Sequence, residues 1–503
     1  MRLPPFPFLP FRRGKEISFR FHGRSVRAYE GETVGAALHA AGIKVFSRSA
    51  KYRRPRGLFC MAGNCPNCLM QVDGVPNVRV CVEPVREGMK VHTQSGWPSA
   101  RWDALAVLDY VGFLFPLGFP YRYLIRPRWL YHWWERLLRQ VSGHGTLPAV
   151  PPRRDWTKVE AQADIAVVGA GPAGLSAALA AATAGAQVVL VDEGAQPGGG
   201  LRADTRCHQV PRQYAGLRGC EIAERLGGSL AENSKVHVYA QATAFGYYDG
   251  GVLGIRHGER LVKLTAKRTI VATGAHENPL IADDWDRPGV WLAGGVQRLL
   301  HLWGMRPGRT AVVVGTTDFG LTVAAQLLNA GVNVKAVADS RAHVNATLNE
   351  AEELRQGGVP LLALHTLKAA WGRPWVKGAT LIRLDTAGQP IAGTDLHLPC
   401  DTIVLTQGFF PANELIFHAT YKGAYILETS GTLTQIPYRE DDMHVAEGLY
   451  VAGNAAGIGG LEKALLEGEI AGLSAALSLG VGGTAAENRR AQAQQELTTI
   501  RGH

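Results

Sequence analysis

Few of the common catalytic signatures occur in this sequence, and no part of it is apolar for long. No run reaches the roughly 18 apolar residues that cross a bilayer, so no membrane-spanning helix is expected. The opening MRLPPFPFLPFRRGKE is apolar but interrupted by Pro4, Pro5, Pro7 and Pro10. It offers neither the continuous apolar stretch nor the small-residue cleavage site of a signal peptide. Arg12-Arg13 is followed by a strand pattern rather than an apolar helix, which argues against twin-arginine export. Cysteine is scarce, 7 in 503 residues, and four of the seven are crowded between Cys60 and Cys81. That distribution argues against a secreted disulfide framework and makes the cytoplasm the expected compartment. Neither G-x-S-x-G nor H-E-x-x-H occurs, which removes the hydrolase nucleophile elbow and the zinc-protease helix. Basic residues exceed acidic ones only mildly, 53 against 43 for a net charge of +10, and the positives are scattered. So diffuse an excess predicts no nucleic-acid partner.

Glycine, by contrast, is abundant: 60 of 503 residues, gathered at strand–helix turns and well above the usual ~7%. At roughly 150 residues per domain, the length suggests about three domains. ISFRFHGRSVRAYEGETVGAALHAAGI reads as two alternating strands around His22-Gly23, then a helix with Thr33 as N-cap and Gly42 at its C-terminal end. NCLMQVDGVPNVRVCVEPV reads as a hairpin turning at Asp73-Gly74. Between about Arg101 and Arg153 the chain becomes aromatic and basic, as in FPYRYLIRPRWLYHWWERLLRQ. A helical connector with packed aromatics is the expectation. A partner-subunit surface or peripheral membrane contact is the alternative. The segment after about Gly480, rich in Ala, Gln and Arg, reads as a frayed helix.

Cys60, Cys65, Cys68 and Cys81 are spaced C-x4-C-x2-C-x12-C. The first three match the plant-type 2Fe–2S loop. The fourth falls where the ferredoxin-like domains of molybdenum hydroxylases place theirs. Gly57 and Gly63 allow close backbone approach, and backbone N–H groups offset the negative charge of such a cluster. A four-cysteine zinc site would pair two CxxC knuckles, and only Cys65–Cys68 has that spacing. A disulfide-exchange motif would leave Cys60 and Cys81 without a role. Cys207, Cys220 and Cys400 read as isolated structural thiols.

DIAVVGAGPAGLSAALAAATAGAQVVLVDEG carries Gly169, Gly171 and Gly174 between a strand and an Ala-rich helix. The first glycine allows the turn, the second lets the backbone approach a pyrophosphate, and the third lets helix and strand pack closely. Pro172 and Ala173 begin the helix. Asp192 ends the next strand, where a carboxylate takes ribose hydroxyls, and Glu193 can share that role. FAD is favoured over NAD because AQPGGGL, with Gly199, follows the acidic pair. TIVATGAHENP, with Thr273 and Gly274, and GLYVAGNAAGIGGLEKALLEGEIAG, with Gly453, resemble motifs of two-dinucleotide flavoproteins. The latter motif usually ends in Gly-Asp; here it is Gly453-Asn454. A weaker copy, VVVGTTDFG, keeps Gly315 and Gly320 but has Thr317 at the middle position, with Asp339 and Arg341 after the next strand. Its expected state is a Rossmann-shaped subdomain that binds NAD(P) poorly or takes another nucleotide. No redox dithiol belongs to the flavin motifs, which argues against a disulfide reductase. No general base is legible; His276 and Glu277 read as local structure.

Together these features predict an α/β multidomain chain. An N-terminal β-grasp ferredoxin-like domain (1–98) precedes an aromatic connector (99–160). A two-dinucleotide-binding, Rossmann-type flavoprotein fold follows. Its FAD domain is split into 161–304 and 396–480 around an inserted NAD(P)-binding-like domain (305–395), with a tail at 481–503.

RSAKYRRPRGLFCMAGNCPNCLMQVDG resembles the ferredoxin-like segment of hydrogen cyanide synthase, opine dehydrogenase and hydroxyproline dehydrogenase subunits. ATGAHENPLIADDWDRPGVWLAGG and LYVAGNAAGIGG resemble the alpha subunit of sarcosine oxidase and related dye-linked proline dehydrogenases. The resemblance covers nearly the whole chain, although sarcosine oxidase alpha lacks the cluster cysteines and no cysteine-rich module follows Cys400 here. It implies an FAD-dependent oxidoreductase subunit with a 2Fe–2S cluster, working with an amino-acid-oxidase-type flavoprotein partner in a hetero-oligomer. That partner would take hydride from an amine carbon, and this chain would pass the electrons on. FMN at a subunit interface, and NAD(P) or ATP at a dinucleotide site, also follow from the resemblance. The inner face of a membrane is a further location it allows. Two other functions compete: a self-sufficient NAD(P)H:acceptor oxidoreductase, disfavoured by Thr317, and a nucleotide-binding scaffold, disfavoured by the cysteines.

Overall fold

Strands Glu16–Phe21 and Arg24–Tyr29 pair antiparallel through a turn in which His22 and Gly23 both adopt positive φ, 48° and 79°. That conformation matches the twist of a tight hairpin. Ile17 and Phe19 are buried and alternate with outward residues. Thr33 Oγ1 accepts the Ala36 N–H at 3.2 Å and starts the helix Val34–Ala40. A second tight turn, Asp73-Gly74 with φ of 48° and 83°, joins Leu69–Val72 to Val75–Arg79. Strand Lys90–Thr93 then runs parallel to the first strand and antiparallel to Leu69–Val72. The five strands, with a parallel pair at the centre and one helix buried beside them, form a β-grasp sheet.

The computed structural model describes residues 1–4, 13–50, 52–111, 126–143, 145, 156–209, 212–315, 317–344, 349–419, 425–428 and 434–501. The chain divides into two compact units, each assembled from two segments. One joins Met1–Pro152 with Glu277–Gly408; the other joins Arg153–His276 with Phe409–His503.

In the first unit the β-grasp domain is fused to a second α/β layer. Strands Val290–Leu292, Thr402–Thr406, Thr310–Gly315, Asn333–Asp339 and Leu361–Ala363 lie in that order, all parallel. Thr402–Thr406 is buried along its length and pairs on both sides, as in sheets covered by helices on both faces. The helices include Ala293–Trp303 and Phe319–Asn329. The boundaries expected at 304/305 and 395/396 cut through this sheet. Its first strand precedes 305, and Thr402–Thr406, expected to return to the flavin domain, is an interior strand here.

In the second unit the sheet order is Val236–Tyr239, Val188–Val191, Thr157–Val168, Arg260–Val271, Val252–His257 and Ala242–Tyr248. Strand Leu449–Val451 pairs with the end of Arg260–Val271. The glycine-loop helix Pro172–Ala184 packs against Leu461–Leu477 at backbone distance. A Cβ on Gly468 would lie 2.1 Å from the Ala173 carbonyl oxygen, and one on Gly472 would lie 2.3 Å from that of Ala177. The Ala-rich composition of one helix and the glycines of the other are two sides of one contact.

The connector departs from expectation. Its described helix Arg128–Ser142 leaves Trp129 and Trp133 exposed, at 75% and 61%, rather than packed. The rest of the aromatic run, at 112–125, lies outside the described residues. The C-terminal segment is a regular helix, Gly483–Arg501, with Ala493 and Leu497 buried, instead of a frayed one.

Candidate functional site

The cysteine loop brings all four thiols together. Cys60, Cys68 and Cys81 are buried and Cys65 is half-buried. Cys60 is in hydrogen-bond contact with Cys65 and Cys81, and Cys68 with Cys81. Crowded together, the thiols cannot all ionise. Hydrogen bonds from Cys65 and Cys81 hold Cys60 down to about 2, while donating to Cys60 pushes Cys65 far up. Cys81 likewise lowers Cys68 and is itself raised, by Cys60 and then Cys68. The backbone N–H groups of Ala62 and Asn64 also donate to the Cys60 sulfur, and that of Asn67 to Cys65. A crowded thiol set fed by backbone donors suits a cationic iron centre, which stabilises thiolate. Among the described residues no three or more His, Cys, Asp or Glu side chains surround a single-ion position. The thiol contacts run in one chain, Cys65 to Cys60, Cys60 to Cys81 and Cys81 to Cys68.

The loop is braced by the second layer of its own unit. Leu292 N–H donates to the Phe59 carbonyl at 3.1 Å. Gly295 lies so close that a Cβ would meet the same oxygen at 2.4 Å. Gly57 is packed against Pro288, and Arg56 pairs with Asp286. His39 donates its Nε2–H to the Arg306 carbonyl, 2.9 Å away, and stacks edge-on to Trp291.

The first glycine loop is built from close backbone contacts. Gly169 has φ of +104°, and a Cβ there would strike the Ala272 carbonyl at 2.3 Å. A Cβ on Gly174 would lie 1.8 Å from the Gly169 oxygen. Around Gly171 there is nothing within 4 Å, so the face offered to a pyrophosphate is open. Gly171 is the N-cap of Pro172–Ala184, and no side chain caps that helix. Its free N–H groups and dipole therefore suit an anion. Gly199 closes over Gly171, whose Cα would be 2.9 Å from a Cβ on Gly199. Asp192 accepts from Ala170 N–H at 2.6 Å and Gly194 N–H at 2.7 Å, which places its carboxylate beside the glycine loop, whereas Glu193 is exposed.

Thr273 donates to the Ala412 carbonyl, and Ala412 N–H donates back to Gly274, tying the strand exit to the returning chain. Gly453 is buried against Ala173, and its N–H donates to Glu467 at 3.0 Å. Glu467 is fully buried and ion-paired with Arg439 and Lys463. Asn454 accepts from Gly459 N–H at 3.0 Å, so its amide oxygen shapes the turn before the helix Leu461–Leu477. Open glycine backbone, an uncapped helix and an acidic strand end make a donor set that fits FAD. Sequence reasoning missed Glu467; its placement one helix turn after Lys463 was the available signal.

The second cradle is internally occupied. Arg341 donates to Asp339 through Nε and Nη2, at 3.0 and 2.6 Å, and to Asp318 at 2.8 Å. The Asp339 carboxylate raises the Arg341 pKa further. Thr317 Oγ1 bonds Thr406 Oγ1 at 2.6 Å. Asp339, the candidate ribose ligand, is thus committed to a neighbouring cation. Of the other thiols, Cys220 and Cys400 are buried and Cys207 is exposed, which corrects the expectation for Cys207. Burial pushes Cys400 up to about 12, an inert thiol. His276 bonds Glu414 at 3.0 Å.

The chain matches two family models: the 2Fe-2S iron-sulfur cluster binding domain over residues 14–96, and pyridine nucleotide-disulphide oxidoreductase over residues 163–468. It is similar to the sarcosine oxidase alpha subunit of Rhizobium meliloti (strain 1021), 33% identical over 478 residues. That alignment covers 91% of this chain and 45% of the relative, so the chain spans about half the length of that relative. One of the opine oxidase subunits of the same organism is 30% identical over 342 residues, covering 63% of this chain and 71% of the relative. The solved structure of L-proline dehydrogenase from P. horikoshii superposes with a TM-score of 0.66 at 20% identity, over 98% of this chain and 79% of that one. At that identity the likeness is one of fold. It agrees with the expected ferredoxin-like and Rossmann-type flavoprotein architecture.

Proposed function

We propose that this chain, which belongs to the pyridine nucleotide-disulphide oxidoreductase family and carries a 2Fe–2S domain, is the electron-transfer subunit of an amine or amino-acid dehydrogenase complex. The observation that carries this reading is the pairing of a four-thiol cluster loop with an FAD cradle in a chain whose only C-x-x-C belongs to that loop. A disulfide reductase needs a dithiol at the flavin; here the thiols are committed to iron.

In this reading Cys60, Cys65, Cys68 and Cys81 hold the cluster. Gly169, Gly171, Gly174 and the helix from Pro172 hold the FAD pyrophosphate, and Asp192 meets the ribose. FAD when bound supplies the conversion between two-electron and one-electron transfer. Gly199 screens the pyrophosphate, and the Gly453 turn, fixed by Glu467, shapes the far end of the cradle. The donor would be a partner flavoprotein of the amino-acid oxidase type, acting on a sarcosine-, proline-, hydroxyproline- or opine-like secondary amine. The names of the similar proteins support that class. The final acceptor is an external one.

A second reading, a self-sufficient NAD(P)H:acceptor oxidoreductase, is favoured by the parallel sheet ending at Gly315 and Asp339. The Arg341 ion pairs stand against it. Anaerobic titration of the purified chain decides between them. Dithionite should bleach both flavin and cluster absorbance, while NADH leaves both unchanged. Prompt bleaching of the flavin by NADH would replace the first reading with the second.

A further inference from the structure

The helix Ala293–Trp303 meets the cluster loop end-on, through a side chain that no part of the cofactor assignment uses. Leu292, its N-cap, provides no side-chain cap. Glu277 takes that place: its Oε2 accepts the Gly294 N–H at 2.8 Å. The fit is close, since a Cβ on Gly294 would lie 2.2 Å from Glu277 Oε1. One turn further on, Arg298 Nη1 lies 3.6 Å from Glu277 Oε1 and donates to the Cys60 carbonyl at 3.3 Å. Glu277 is largely buried, and Arg298 is about one-third exposed, at 10% and 31% of their side-chain surfaces. A carboxylate, a guanidinium and the peptide of a cluster cysteine thus form one chain of contacts.

We infer that Arg298 is a positioning residue that sets the reduction potential of the cluster, with Glu277 holding it in place. The inference rests on the cluster reading of the four thiols. A reduced cluster carries one more negative charge than an oxidised one. A cation held on the peptide of a ligand cysteine, with Gly294 packed beside it, favours the reduced form. The Glu277 carboxylate, one contact further away, opposes that effect more weakly. The two residues therefore have opposite signs, which a purely structural brace would not show.

The test is an EPR-monitored redox titration of the cofactor-loaded full-length chain, with iron and sulfide measured on every sample. Arg298→Met should shift the reduction equilibrium about tenfold towards the oxidised form, about 59 mV for one electron. Arg298→Lys should recover most of that shift. Glu277→Gln, which keeps an oxygen for the Gly294 N–H, should move the potential in the opposite direction. Equal potentials in all four proteins, with full iron content, would overturn the inference, as would shifts of one sign in Arg298→Met and Glu277→Gln. Should Arg298→Met lose its iron, Glu277→Gln still decides by sign: an unchanged potential or one shifted towards the oxidised form would overturn the inference. A wild-type chain with no iron and no EPR signal would instead remove the cluster reading itself, and the inference with it.

Discussion

The Arg53 guanidinium lies 2.8 Å from the Asp103 carboxylate, with only 2% of one side chain and none of the other reaching water. Arg53 has a positive φ of 56°. Asp103 also accepts from Trp97 N–H and Leu105 N–H. Burial alone would raise its pKa, but Arg53 and these donors hold it below the usual carboxylate range. The pair pins the start of the connector to the segment that leads into the cysteine loop.

Removing one partner should therefore be costly. Arg53→Ala or Asp103→Ala breaks a buried ion pair, for a loss of about 3–5 kcal/mol. Urea unfolding of each variant beside wild type measures it. A loss below about 1 kcal/mol in both would mean that water reaches the pair.

Cys81→Ser should abolish the cluster and spare the flavin, since Cys81 contacts both Cys60 and Cys68 and belongs to the first unit. Iron content should fall at least several-fold while the flavin-to-protein ratio stays at the wild-type value. Equal iron in both proteins would show that Cys81 is not a ligand.

Gly468→Ala should loosen the FAD cradle. The new methyl would meet the Ala173 carbonyl oxygen at 2.1 Å, and such overpacking costs about 1–3 kcal/mol. Ala173 begins the glycine-loop helix, so flavin retained after gel filtration should drop as well. Gly228→Ala is the control: it lies in the helix Gly219–Ala231 with nothing within 4 Å of its Cβ position. That change should be neutral or stabilising by up to about 1 kcal/mol.

Acid should weaken the first unit through His39. Burial lowers its pKa from 6.5 to about 4. The unfolded chain therefore takes up the proton first. Stability is intact above pH 6.5, declines as pH falls from 6.5 towards 4, and levels off below that. The gap corresponds to about 3 kcal/mol at most. Denaturation at a series of pH values should show this slope in wild type and a shallower one in His39→Gln.

Local chemistry made much of this legible. Four cysteines at ligand spacing, two I′ turns and a glycine fingerprint each depend on neighbours in sequence, and each appears where the residues place it. The inner strand Thr402–Thr406 was misassigned because an apolar run buried on both faces fits either parallel sheet; only pairing decides. The bracing residues were hidden for a similar reason. Glu277 caps a helix 17 residues away, and Arg53 finds Asp103 across 50. Neither partner can be named from spacing. Asp339 was recognisable as a strand-end acid, but its capture by Arg341 depends on the turn that brings residue 341 back.

Both units are discontinuous, and their segments interleave along the chain. This imposes an order of assembly during synthesis. The sheet that braces the cysteine loop lacks its interior strand until Thr402–Thr406 has emerged. The flavin cradle must wait longer, for Gly453 and the helix Leu461–Leu477 that supports Ala173. Domains generally fold as units as they emerge. A ribosome translating this message thus presents a completed iron-binding half before a completed flavin-binding one, and maturation of the two centres is staggered by the order in which their strands are made.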